Sequence, residues 1–357
     1  MIQGFKDSLI AVDGERDFVR TSLSLNNGVI ASVGAGEGIT LPQGLFLIPG
    51  LIDEHIHGSD GVDSMDKDPE SVKKIAHSIL QDGVTSFCPT TMTMGEGDIE
   101  IALKNIAAAK KVQKKDAARI LGVHLEGPFI SPAFKGAQEE KNICSCDLAL
   151  LKEFYALCPD IKEITFAYEE NGEAILPFLK EHRIVASIGH SNCDPELLKK
   201  GIADGICCST HTYNAMRRFT HRDVGIVGVV LLDPRVDCEL IADLIHVSPD
   251  AIRLLYKCKG HDHVILITDS MEAKHLPEGK YALGGQDVYV KDGAARLVDG
   301  TLAGSVLTLN KAVKNAQDVL GLSLREAVDL ASKNPAKNLH EEKRLGVHRR
   351  EVADPLV

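Results

Sequence analysis

The 357-residue chain contains no tryptophan, and aromatic residues make up only 4% of it. An aromatic platform for stacking nucleic-acid bases is therefore not expected. Excess positive charge is missing as well. The formal net charge of −11 argues against nucleic acid and against an anionic membrane surface as partners. It also means that an anionic substrate must be held by individual basic residues, because the overall field does not attract it. The longest apolar runs are strand-sized, so no membrane span is expected. The N-terminus, MIQGFKDSLIAVDGE, lacks a basic segment followed by an apolar one, and no signal peptide is expected. The nine cysteines (Cys88, Cys144, Cys146, Cys158, Cys193, Cys207, Cys208, Cys238 and Cys258) form an odd set without framework spacing. CSC and CC are too tight for a zinc knuckle, so reduced thiols in a cytoplasmic protein are expected.

What is present is an ordinary globular composition, 44% hydrophobic and 25% charged. The length permits several domains, but one α/β barrel often exceeds 200 residues. From about residue 47 short apolar strands alternate with amphipathic helices. Eight strand candidates stand out: 45–57, 83–91, 118–127, 162–169, 183–191, 205–212, 237–247 and 263–270. Helical segments such as PESVKKIAHSILQD and DPELLKKGIAD lie between them, the latter with an Asp cap and Pro at its first position. This order predicts a (β/α)8 TIM-like barrel over 47–279, with helices of 301–343 completing it. Segments 1–46 and 280–300 alternate polar and apolar residues between Gly and Asn turns. With 344–357 they are expected to form a small β-sandwich domain from both chain ends.

Chemistry in such barrels sits at the C-terminal ends of the strands. His55 and His57, two apart in PGLIDEHIHG, face the same side of a strand. Glu126, His190, His211 and Asp269 fall at the ends of later strands. Singly, each has a plain explanation: a hydrogen-bonded structural histidine, a turn carboxylate, an Asp helix cap. His124, two residues before Glu126, reads as a packing residue. All six at the same end of successive strands point instead to a site for a divalent metal. Imidazole and carboxylate suit zinc, iron and manganese.

The motifs PGLIDEHIHG, GVHLEGPFISP, KGAQ, IGHSN, HTYNAM, ELIADLIHV, LITDS and GTLAGS occur here in order. In order and spacing the chain resembles the N-acetylglucosamine-6-phosphate deacetylases of the amidohydrolase superfamily, from about residue 4 to about 346. The resemblance implies that Glu126, His190 and His211 hold the main metal and that His55 and His57 serve a second one. One or two ions per subunit are expected, zinc or iron foremost. Glu126 stands where many other amidohydrolases use a carboxylated lysine. Asp269 is implied as the group that takes a proton from water and passes it to the departing amine. Arg222 and His246 match positions that grip the substrate phosphate, one reaching in from a neighbouring subunit. A homodimer and a phosphosugar substrate are thereby implied. Asn214 and Ala215 are implied to contact the sugar, and Leu302, Ala303 and Gly304 to pass close to its acetamido end. Gln138 occupies a position where many relatives carry His; its amide can donate to the same carbonyl but cannot titrate.

The implied reaction converts N-acetylglucosamine 6-phosphate to glucosamine 6-phosphate and acetate, in amino-sugar catabolism and cell-wall recycling. The rivals are the galactosamine epimer, another amidohydrolase reaction such as a cyclic amidase or deaminase, and an inactive barrel serving as a binding module. At the C-terminus, the family's last strand is replaced by RLGVHRREVADPLV, in which Pro355 is expected to interrupt it.

Overall fold

The computed structural model describes residues 3–26 and 29–345. Eight parallel strands carry the chain: Leu51–Ile56, Val84–Pro89, a third in two pieces (Arg119–Ile120 and Val123–Glu126), Ile161–Phe166, Val185–Ile188, Cys208–Ser209, Asp237–Ile241 and Val264–Ile267. The third strand breaks around Gly122, where a Cβ would stand 2.1 Å from the carbonyl oxygen of Asp160. Strands one to three pair in parallel, and so do strands three to eight. A parallel bridge between Thr90 and His124 joins the two sets. The sheet curls until its last strand meets its first: Asp269 N–H donates to His55 O, and His57 N–H to Ser270 O, both at 2.9 Å.

The strands read as near-continuous apolar runs because both faces are covered. Every residue of Leu51–Ile56 and of Val264–Ile267 is buried. Helices Ser71–Ser78, Glu96–Lys111, Leu148–Leu157, Leu176–Glu181, Pro195–Asp204, Gly225–Leu232, Pro249–Lys259 and Leu309–Leu320 follow the strands in turn. Pro195–Asp204 starts as the sequence predicts, with Asp194 accepting from Glu196 N–H at 2.9 Å. Its Leu198 and Ile202, four apart, face the core. Ile52, Cys88 and Leu121 pack with Ala336 and Leu339, at and just beyond the short helix Lys333–Asn338.

The predicted strands run longer than the observed ones, and the reason is functional. His190, His211 and Asp269 lie just past their strands with φ of 46°, 29° and 48°. This left-handed conformation ends a strand and turns the side chain towards the mouth of the sheet.

At the N-terminus, Gly4–Ala11, Phe18–Asn26, Val29–Val33 and Phe46–Leu47 form a four-stranded sheet. It has its own core of Ile10, Val12, Leu23 and Ile30. A further sheet, antiparallel throughout, of Gly279–Leu283, Gln286–Lys291 and Ala294–Arg296 turns through Gly284 and Gly285, both at positive φ. Its buried Leu283, Val288, Val290 and Ala295 join the main core, which places this sheet beside the strand ends. Among the described residues, no helix is long and apolar enough to cross a membrane. Pro355 and its neighbours in 346–357 lie outside the described residues.

Candidate active site and metal centre

Glu126 is the last residue of the third strand, and four imidazoles surround it. Its Oε1 lies 3.2 Å from His190 Nε2 and 3.2 Å from His211 Nε2, and those two nitrogens are 3.1 Å apart. Its Oε2 lies 3.4 Å from His57 Nε2, while His55 Nε2 is 3.5 Å from Oε1. Asp269 Oδ1 approaches the same group, 3.2 Å from His57 Nε2 and 3.7 Å from His55 Nε2. Residues separated by more than 200 positions are thus gathered on one buried floor.

The outer nitrogens decide what the inner ones offer. His190 Nδ1 faces Phe134 O at 3.0 Å. A carbonyl only accepts, so Nδ1 carries the proton and Nε2 presents a lone pair. His57 Nδ1 lies 3.3 Å from Thr90 O, to the same effect. His55 Nδ1 sits 3.0 Å from Glu239 Oε2, and its Nε2 is buried without a hydrogen-bond partner. Lone pairs and a carboxylate converging at such distances could hold a cation between them. Two of the buried groups able to do so centre on Glu126: Glu126 with His190 and His211, and Glu126 with His55 and His57. The donors, imidazole nitrogen and carboxylate oxygen, are those of zinc, iron and manganese sites.

Burial pushes the Glu126 carboxyl upwards, but the imidazoles of His190, His211 and His55 around it hold it well below the usual carboxylate range. Asp269 is likewise raised by burial yet held low overall by His55 and His57. Both are therefore anions at neutral pH. Burial drives His124 down to about 3, and both its nitrogens are engaged, with Glu54 O at 3.1 Å and Thr165 Oγ1 at 2.7 Å. It packs beside the centre as a neutral ring.

Above this floor opens a cleft. Gln138, Asn214, Ala215, His246, Leu302 and Gly304 line it together with His57, Glu126, His190, His211 and Asp269. His246 is oriented by Asp243, whose Oδ2 lies 2.6 Å from its Nδ1. Gly304 has φ of 60°, and a Cβ there would come within 3.1 Å of Asp269 O. Three predicted residues do not line it. Ala303 is buried behind the lining, its N–H bonded to Ala295 O. Arg222 is exposed on the loop before Gly225–Leu232 and is not among the residues lining the cleft. His55 lies beneath the floor, fully buried.

The sequence reading missed Glu239. Its Oε2 accepts from His55 Nδ1 at 3.0 Å and from His211 N–H at 2.9 Å, so one carboxylate orients a residue from each triad. A charged residue inside the apolar run CELIA was the available signal. Met92, Gly136, Leu283 and Thr301 also line the cleft unforeseen. They come from loops and from the 279–296 sheet, whose placement has no local signature.

Residues 46–349 match the amidohydrolase family. An N-acetylglucosamine-6-phosphate deacetylase of Lysinibacillus sphaericus is 42% identical over 299 residues, 83% of this chain and 77% of that protein. An N-acetylgalactosamine-6-phosphate deacetylase of Escherichia coli O157:H7 is 35% identical over 321 residues, 89% of this chain and 84% of that one. The crystal structure of the N-acetylglucosamine-6-phosphate deacetylase of Thermotoga maritima superposes with a TM-score of 0.85 at 36% identity, covering 95% of this chain and 90% of that one. With the donor set, the cleft and the fold on one side and these likenesses on the other, the chain belongs to the amidohydrolase family, in the branch of its N-acetylglucosamine-6-phosphate deacetylases.

Proposed function

We propose that this chain hydrolyses the amide of N-acetyl-D-glucosamine 6-phosphate, releasing acetate and D-glucosamine 6-phosphate, with divalent metal held by its histidines and Glu126. The observation that carries the reading is the meeting of Glu126 Oε1 with His190 Nε2 and His211 Nε2, each at 3.2 Å, beside the Asp269 carboxylate. Zinc or iron suits these donors best, with manganese admissible. The main ion belongs to Glu126, His190 and His211, and a second to His55 and His57 with Glu126. Such a group supplies Lewis acidity to water and to the amide carbonyl at neutral pH.

The chain's own residues do the rest. Phe134 O and Thr90 O keep His190 and His57 in the tautomer that leaves Nε2 unprotonated. Asp269, an anion poised at the floor, accepts the proton of the attacking water and delivers it to the amine nitrogen as the C–N bond breaks. Asn214 and Ala215 orient the sugar, while Leu302 and Gly304 form the wall along the acetamido group, with Ala303 packed behind them. His246 receives the phosphate inside the cleft. Arg222, exposed on its loop, serves the cleft of a second subunit in a homodimer, where a guanidinium pairs bidentately with phosphate.

The curled sheet is read as a (β/α)8 barrel over 47–279 completed by helices of 301–343. The N-terminal strands of 1–46, the 280–300 strands and 344–357 make up a small β-sandwich domain, and the enzyme works in the cytoplasm. The likeness to a galactosamine-epimer deacetylase favours one second reading, the same chemistry on N-acetylgalactosamine 6-phosphate.

Acetate release from the two phosphorylated epimers and from unphosphorylated N-acetylglucosamine, with metal quantified on the same sample, tests the reading. Preference for the phosphorylated gluco substrate is expected. Activity on none of the three with metal bound overturns the substrate.

A further inference from the structure

We propose that Gln138 is a positioning residue for Glu126. Its amide N–H settles which carboxylate oxygen faces His190 and His211, and so sets how tightly the metal is held. The inference rests on the reading of Glu126 as a metal ligand and deepens it.

Gln138 is buried, 3% exposed, and its two polar atoms are assigned without ambiguity. Thr93 N–H lies 2.8 Å from Oε1. A backbone N–H can only donate, so this atom is the amide oxygen. Nε2 therefore faces Glu126 Oε2, at 2.7 Å, the length of a charge-assisted hydrogen bond. The reversed amide would set donor against donor at Thr93 and acceptor against carboxylate at Glu126. The remaining polar neighbour of Nε2 is Met92 Sδ at 3.7 Å, a weak acceptor.

The turn that carries the amide is itself held. Gln138 N–H donates to Lys135 O at 2.9 Å, Gly136 takes φ of 56°, and Gln286 donates to Ala137 O. A rigid donor thus engages Oε2 and leaves Oε1 for His190 Nε2 and His211 Nε2. Rotation of the carboxylate about its Cγ–Cδ bond would exchange the two oxygens, and the Gln138 N–H opposes that rotation. The strongest hydrogen bond of this amide goes to a ligand, which separates its role from direct polarisation of a substrate carbonyl.

Removing a hydrogen-bond partner of a metal ligand typically weakens metal binding 10- to 100-fold. The test is a zinc competition titration against a chromogenic chelator on metal-stripped wild type, Gln138→Ala and Gln138→His, with kcat measured at saturating zinc. Gln138→Ala is expected to bind zinc about 10- to 100-fold more weakly than wild type. Gln138→His, whose imidazole N–H can replace the amide donor, is expected to recover most of the affinity. Circular dichroism checks folding; should Gln138→Ala not fold, Gln138→Met fills the same volume without a donor and takes its place. Wild-type zinc affinity together with a collapsed kcat in the donor-less variant overturns the inference and assigns the amide to the substrate. Wild-type protein that binds no zinc overturns instead the reading of the metal centre.

Discussion

Replacing Asp269 with Asn separates proton transfer from everything else the residue does. The backbone of Asp269 is tied down on both sides, its N–H to His55 O at 2.9 Å and its C=O accepting from Ser305 N–H at 2.7 Å. Its φ of 48° is left-handed, a conformation Asn tolerates and most residues pay about 1–2 kcal/mol to enter. Asp269→Asn is therefore expected to change stability by less than about 1 kcal/mol, whereas Asp269→Ala would mix backbone strain with lost chemistry. One oxygen remains to face His57 Nε2, now at 3.2 Å from Oδ1, so the imidazole keeps its neighbour. What disappears is a group able to carry a proton from water to amine. General acid–base catalysis contributes about 10²- to 10⁴-fold, equivalent to about 2.7–5.4 kcal/mol of barrier at 1.36 kcal/mol per decade. The assay is steady-state acetate release at saturating substrate, with metal content and urea unfolding measured on the same preparation. Turnover within about threefold of wild type, metal bound, would refute the role assigned to Asp269, because the other carboxylate lining the cleft, Glu126, belongs to the candidate metal triads.

Two further substitutions probe the supports. Glu239→Leu leaves His55 Nδ1–H and His211 N–H without their acceptor in a fully buried place; zinc affinity by chelator competition should fall about 10- to 100-fold, and unchanged affinity would show that the two residues need no common anchor. Lys274→Met removes a fully buried ammonium 2.9 Å from Asp82 Oδ2, leaving that carboxylate with His275 alone of its two ionic partners. Breaking one side of a buried pair costs about 3–5 kcal/mol, so urea unfolding that shifts by less than about 1 kcal/mol would contradict the pair's importance.

How much was legible varies with the range of the signal. The eight strand positions were readable because an apolar run of five or six residues, bounded by Gly or by a helix cap such as Asp194, is a local pattern. Their C-terminal limits were not, since His190, His211 and Asp269 look like the continuation of apolar strands and leave them only through a left-handed φ. The cluster of His55, His57, Glu126, His190 and His211 was legible from residue type and spacing, with the resemblance to a family adding the roles proposed for its members. Glu239 was passed over because whether a strand carboxylate faces the centre depends on a register set by neighbouring strands. The 279–296 sheet was recognised as β structure, but nothing in its alternation tells that Leu283 joins the main core and walls the cleft.

By itself, then, the sequence determined the alternation of strand and helix, the pairing of His55 with His57 on one strand face, and a donor set suited to a divalent cation. These are properties of neighbouring residues and of side-chain chemistry, and no folding is needed to state them. Only the tertiary structure decided which donors meet. It brings Glu126 Oε1 within 3.2 Å of nitrogens 64 and 85 positions away. It uses carbonyls of Phe134 and Thr90 to leave the lone pairs of His190 and His57 facing inward, and it turns the amide of Gln138 towards Glu126. It also leaves Arg222 out of the lining of its own cleft. These depend on the parallel pairing of the strands and on where the loops beyond them settle, and no local period encodes that geometry.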